Sequence, residues 1–174
     1  MKNARFLSIL ALSAMAAWNA CGPRPAERPT DTFTIAVTDS GLGGLAVMAE
    51  AAARLEKAGI HRRVDLVFFN ALFTDEGGYN SLPTREEKIR VFDAALRGLE
   101  EVVRPDLILV ACNTLSVLLP ETPYARETTI PLQGIVEPGV ELFWQALMEN
   151  PEARLILFGT ETTIAEDSHR RKLI

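Results

Sequence analysis

From residue 33 onward, short apolar runs alternate with longer stretches in which apolar residues recur every three or four positions. Phe33-Thr34-Ile35-Ala36-Val37-Thr38 is rich in β-branched and aromatic residues and predicts a strand. Asp39-Ser40-Gly41-Leu42-Gly43-Gly44 follows it, and Val47, Met48, Ala51, Ala52 and Leu55 then repeat at helical spacing. The order is strand, glycine-rich turn, helix. A second strand is predicted over 64–69, and the polar stretch 70–83 reads as a long loop with Gly77, Gly78 and Tyr79 at its centre. Thr84 with Glu87 three residues later forms a capping box, so a helix starts there. Ile89, Phe92, Leu96, Leu99 and Val103 give that helix one apolar face, and Pro105 stops it.

Leu107-Ile108-Leu109-Val110-Ala111 is continuously apolar, as in strands buried on both faces, and it runs straight into Cys112-Asn113-Thr114. A shorter strand is predicted over 132–136, a helix from about Gly139 to Met148, and a buried strand over 155–158. Thr160-Glu161-Thr162-Thr163 opens a final helix running to Ile174. Alternating strands and helices predict an α/β fold: a parallel sheet with helices on both faces. No close internal repeat is present.

Composition refines this picture in two places. The chain has 174 residues, 48% of them hydrophobic and 24% charged, the make-up of a globular protein. Its 18 basic and 23 acidic residues give −5, and Lys2 and Arg5 are the only charges before residue 21. That balance disfavours a nucleic-acid partner, which requires a basic stripe. Arg170-Arg171-Lys172 reads as a solvated helix face. Ahead of the fold, Lys2 and Arg5 flank an apolar run over 6–18, too short to cross a bilayer but matched to a signal-peptide core. Cleavage would fall after Ala14-Met15-Ala16 or before Cys21, where Ala20-Cys21-Gly22 resembles the acceptor site of bacterial lipoproteins. Pro23, Pro25 and Pro29 then make a stiff tether. The chain is therefore expected to be exported, to the periplasm or onto a membrane through lipidated Cys21.

In an open parallel sheet, ligands bind beyond the carboxyl ends of the strands. Three polar clusters fall at such ends: Asp39-Ser40, Cys112-Asn113-Thr114 and Thr160 to Thr163. Gly41, Gly43 and Gly44 would let backbone N–H groups approach a carboxylate or phosphate. Cys112, at the start of a helix, is better placed to act as a base or nucleophile than an inert core thiol. The two cysteines, Cys21 and Cys112, do not form a disulfide framework.

Thr38-Asp39-Ser40-Gly41-Leu42-Gly43-Gly44-Leu45 resembles the opening motif of glutamate racemases, and Ala111-Cys112-Asn113-Thr114 resembles their first catalytic cysteine motif. Gly134-Ile135-Val136-Glu137-Pro138-Gly139, and Gly159-Thr160 through Ile164, are similar to that family in order and spacing. The resemblance implies an aspartate/glutamate racemase without cofactor or metal, acting by thiol-based proton transfer at the α-carbon of glutamate or aspartate. It makes Cys112 an acid/base and Asp39 its assistant, with Ser40, Asn113, Thr114, Tyr79, Asn80 and Thr163 holding the substrate. It also implies two similar α/β domains, hence a first domain over 32–130 after the signal peptide (1–20) and tether (21–31), and the start of a second over 131–174. The family's second cysteine, followed by threonine and histidine, has no counterpart here, so the chain reads as an N-terminal portion. His169 stands where the family has a tyrosine and reads as a surface substitution; His61 has no functional case. Expected partners are the small amino acid, a membrane surface through Cys21 and a second copy in a homodimer. The alternatives are a lipid-anchored protein that binds acidic amino acids without turnover and, ranked below it, a hydrolase with Cys112 as nucleophile.

Overall fold

The computed structural model describes residues 31–59, 63–71 and 77–174, which form one compact unit. The expected signal peptide, the tether, Cys21 and His61 lie outside the described residues. Four parallel strands make a single sheet in the order β2-β1-β3-β4, with β1 at Thr32–Asp39, β2 at Arg63–Asn70, β3 at Leu107–Val110 and β4 at Leu132–Gly134. The chain thus winds from β1 outward to β2, crosses back over β1, and continues outward through β3 and β4. The winding direction reverses between β1 and β3.

Ala36 and Val37 are consecutive, point to opposite faces and are both fully buried, so β1 is covered on both sides. On one face Ala36, Ile108 and Val110 join Phe92, Leu96 and Leu99 of α2 (Arg85–Val103) in the main core cluster. The capping signal read from the sequence is real: Thr84 accepts a hydrogen bond from Glu87 N at 3.1 Å. At the other end the helix closes on Arg104, held in the left-handed region just before Pro105. Helix α1 (Gly44–Lys57) packs against β1 and β2. After β3 come α3 (Asn113–Leu118), a short 3-10 turn (Leu119–Glu121) and α4 (Pro123–Glu127), whose Thr122 caps Ala125 N.

Three expectations are corrected. The strand predicted over 132–136 stops at Gly134, and α5 (Val136–Glu149) begins before Gly139. Pro138 sits in its first turn, where a missing N–H costs no helical hydrogen bond. The strand predicted over 155–158 does not form: residues 153–160 are irregular, and Ile156 and Phe158 are 72% and 87% exposed. A strand needs a hydrogen-bonded neighbour, and among the described residues none lies beside this run. The last helix is two, α6 (Glu161–Glu166) and α7 (Ser168–Leu173), broken at Asp167, whose φ is +52°. Asp adopts this conformation more readily than most residues, and its carboxylate is held by Arg170.

Two tertiary ties fix the later elements on the sheet. Ser116 Oγ donates to Val110 O at 3.1 Å and accepts from Ile135 N at 3.0 Å, riveting α3 to the ends of β3 and β4. A Cβ at Gly134 would lie 2.9 Å from that oxygen, so only glycine fits beside it. Arg85, the first residue of α2, pairs with both Glu121 and Glu166 and so clasps α6 to the start of α2. Those contacts raise the Arg85 pKa, and Arg85 holds the Glu121 carboxyl below its ordinary range.

Candidate active site

The reversal between β1 and β3 is the position at which open α/β sheets leave a crevice beyond their carboxyl ends. Asp39 closes β1 and Cys112 lies two residues beyond β3, so both stand at that crevice. The backbone joins the tips: Ala111 N donates to Thr38 O at 2.8 Å, and Ala71 N donates to Asp39 O at 2.8 Å. The side chains follow. Ser40 Oγ lies 3.2 Å from Cys112 Sγ, with either able to donate. The two polar clusters that the sequence separates by 72 residues are in direct contact.

Asp39 is 7% exposed, and its Oδ1 accepts from Gly41 N at 2.9 Å. This local bond fixes the carboxylate while the chain turns into α1. The turn demands glycine at Gly44, because a Cβ there would lie 2.9 Å from Asp39 Cβ and 3.2 Å from Ala111 Cβ. Cys112 precedes α3 with an extended backbone, and its carbonyl accepts from Ser116 N at 2.9 Å. Its side chain is half-buried at the margin of the core, and its thiol makes no cap to the helix.

Thr114 is buried and meets Thr160 Oγ1 at 2.8 Å and Thr163 Oγ1 at 3.4 Å, while Thr160 and Thr163 are 3.0 Å apart. Thr160 also caps α6 through Thr163 N. The third polar cluster therefore joins the second as a closed set of hydroxyls. Asn113 is exposed, and its Oδ1 lies 3.1 Å from His169 Nε2.

Tyr79 and Asn80 are held elsewhere. Tyr79 is buried, edge-on to Phe92, and donates to Ala71 O at 3.2 Å, so its hydroxyl is an anchor of its own loop. Burial raises its pKa, and the Cys112 charge raises it further. Asn80 Oδ1 accepts from Thr162 Oγ1 at 2.7 Å, and Lys88 donates to the same hydroxyl at 2.9 Å. Asn80 thus joins α2 in holding α6.

His169 corrects the reading of a surface substitution: it is 3% exposed. The break at Asp167 turns α7 so that this ring enters the protein, a bend no local pattern announces. Burial lowers its pKa and the charge of Glu137 partly opposes this. A cavity of about 450 Å³ adjoins it, lined also by Thr163 and by Leu147, Leu155, Leu157 and Leu173. Arg170, Arg171 and Lys172 are exposed as expected, paired with Asp167, the Glu166 carbonyl and Glu137. Among the described residues no helix is long and apolar enough to cross a membrane, and no group of His, Cys, Asp and Glu could hold a metal ion.

No family model matches the chain. It is 30% identical over 139 residues to a glutamate racemase of Aquifex pyrophilus, covering 80% of this chain and 49% of that protein. It is 28% identical over 137 residues to a glutamate racemase of Staphylococcus aureus strain JH9, covering 78% and 46%. The chain spans about half the length of the curated relatives it matches. Its fold matches the crystal structure of glutamate racemase from Campylobacter jejuni subsp. jejuni with a TM-score of 0.61, at 24% identity, over 81% of this chain and 52% of that one. The resemblance carried by the motifs therefore extends to overall sequence, which is similar to that of glutamate racemases, and to the α/β fold.

Proposed function

We propose that this chain carries one half of a thiol-based racemase site for glutamate or aspartate. The observation that carries the reading is the 3.2 Å contact of Ser40 Oγ with Cys112 Sγ beside the buried carboxylate of Asp39, at the reversal point of the sheet. The α-hydrogen of an amino acid is a very weak acid, so its removal needs a base in a partly desolvated position and fixed donors for the charge that develops. In this reading Cys112 takes the α-proton: the Cα–H bond breaks, an S–H bond forms, and the electron pair spreads into the α-carboxylate. Ser40, on the sulfur, and Asp39, next to it, manage the proton. Asn113, which is exposed, meets a carboxylate, whereas the mutually bonded Thr114, Thr160 and Thr163 hydroxyls support the wall behind it and Tyr79 and Asn80 shape the adjoining loop.

Inversion requires a second acid on the opposite face of the α-carbon. Cys112 is the only cysteine among the described residues, so that acid is proposed to come from chain beyond the half of the fold matched here. Export and lipid attachment at Cys21 remain part of the proposal, tested by incorporation of a labelled fatty acid that Cys21→Ser abolishes.

The test is exchange of the α-hydrogen of each enantiomer of glutamate and aspartate in heavy water, with the complete gene product. Cys112→Ser is expected to slow exchange by about 10²-fold or more. Exchange unaffected by that substitution would sink the proposal. The solitary described thiol favours one second reading, a binding protein without turnover. Calorimetric binding of glutamate or aspartate with no detectable exchange would establish it.

A further inference from the structure

We propose that His169 is a positioning residue for Asn113: its Nε2–H holds the Asn113 carbonyl so that the amide N–H₂ is presented to a ligand at the β1/β3 crevice. The ligand class, a carboxylate of an acidic amino acid, rests on the function proposed above; the positioning itself does not.

Asn113 is the first residue of α3, directly after Cys112, and its side chain is exposed. An exposed amide on a helix terminus samples several rotamers and must be ordered when it binds. Here it is ordered in advance by the 3.1 Å bond to a ring that is 3% exposed. The ring is fixed in turn. It sits on α7 past the Asp167 break, and Phe143 of α5 packs near it at a centroid distance of 6.3 Å.

The hydrogen-bond inventory selects one arrangement. His169 Nδ1 is buried and has no partner. A neutral ring protonated on Nε2 leaves only a bare lone pair at Nδ1 and donates to the Asn113 oxygen. The other tautomer would bury an unpaired N–H, which costs more, and would set an acceptor against that oxygen unless the amide turned over. A charged ring would bury the same unpaired N–H. Burial lowers the His169 pKa, which keeps the ring neutral and agrees with this choice. With its oxygen committed to His169, Asn113 has both amide hydrogens free for an anion, and it cannot turn its acceptor toward the crevice.

The complete protein is compared with His169→Gln, which keeps an N–H donor near the position of Nε2, and His169→Leu, which keeps bulk and removes the donor. Nitrogen-15 spectra are expected to show the wild-type ring protonated on Nε2 and bare at Nδ1. The Asn113 side-chain amide resonances should shift in the Leu variant and return toward wild type in the Gln variant. Glutamate or aspartate affinity is expected to fall about tenfold in His169→Leu and to stay within about twofold in His169→Gln. A ring protonated on Nδ1, Asn113 amide signals indifferent to His169→Leu, or equal affinity losses in both variants would overturn the proposal. If the amide signals respond as stated but the wild-type protein binds neither amino acid, the positioning stands and the substrate assignment falls.

Discussion

Residues 107–110 and 155–158 both lie in short apolar runs, each followed within a few residues by a polar cluster that opens a helix. The first is β3, with parallel partners on both sides and Ile108 and Val110 fully buried. The second forms no strand and leaves Phe158 87% exposed. Equal hydrophobicity has produced opposite outcomes, because an apolar run supplies only the capacity to be a strand. The neighbour that accepts its hydrogen bonds decides whether the capacity is used. The active-site candidates divide along the same line. Cys112 and Asp39 are set by strands locked on both sides, whereas Thr160 and Thr163 rest on a helix held mainly by side-chain ties from α2 and α3.

The largest test of that contrast is truncation in each run. Ile108→Ala is expected to cost about 2–5 kcal/mol in chemical denaturation, whereas Phe158→Ala should stay within about 0.5 kcal/mol. Comparable losses would mean that 155–158 is packed as β3 is, and the contrast would fail. Gly44→Ala probes the locked side at its tightest approach, with the added Cβ 2.9 Å from Asp39 Cβ. It should cost about 1–3 kcal/mol, and by moving Asp39 it should also depress α-proton exchange. Unchanged stability would show that the turn can open. The smallest effect sharpens the less tightly held side. Because the folded pKa of His169 lies below its ordinary 6.5, the unfolded chain binds the proton more readily. The stability this ring contributes is complete above about pH 6.5 and is lost as pH falls through the lowered folded value. Unfolding free energies at about pH 7.5 and 5.5 should therefore differ more for wild type than for His169→Gln. Identical pH slopes would refute the assignment.

These contrasts also mark what could be read from the residues in order. Wherever local chemistry suffices, the elements stand where the pattern put them: Thr84 and Glu87 start α2, Pro105 follows its end, and Asp39 and Cys112 end up at strand tips. The contact of Ser40 with Cys112 needed one more fact, that β3 lies beside β1, and strand order is a tertiary property. The missing strand at 155–158 failed for the same reason, since periodicity describes a segment and pairing describes two. His169 was misread because its inward turn depends on a single left-handed residue, Asp167, inside a stretch that is otherwise good helix. The polar atoms of Tyr79 and Asn80 are engaged by Ala71 O and Thr162 Oγ1, neighbours not visible along the chain.

Arg85 places a cation at the amino end of a nineteen-residue helix, the end at which the peptide dipoles favour an anion. Left to itself, α2 would gain from an acid at this position, while α6, and with it Thr160 and Thr163, would lose its clasp. The two elements have opposed interests in one side chain. Selection for a more robust scaffold and selection for a firmly seated threonine cluster would pull residue 85 in different directions. A neutral replacement would therefore be expected to relieve the helix and slacken the site at once.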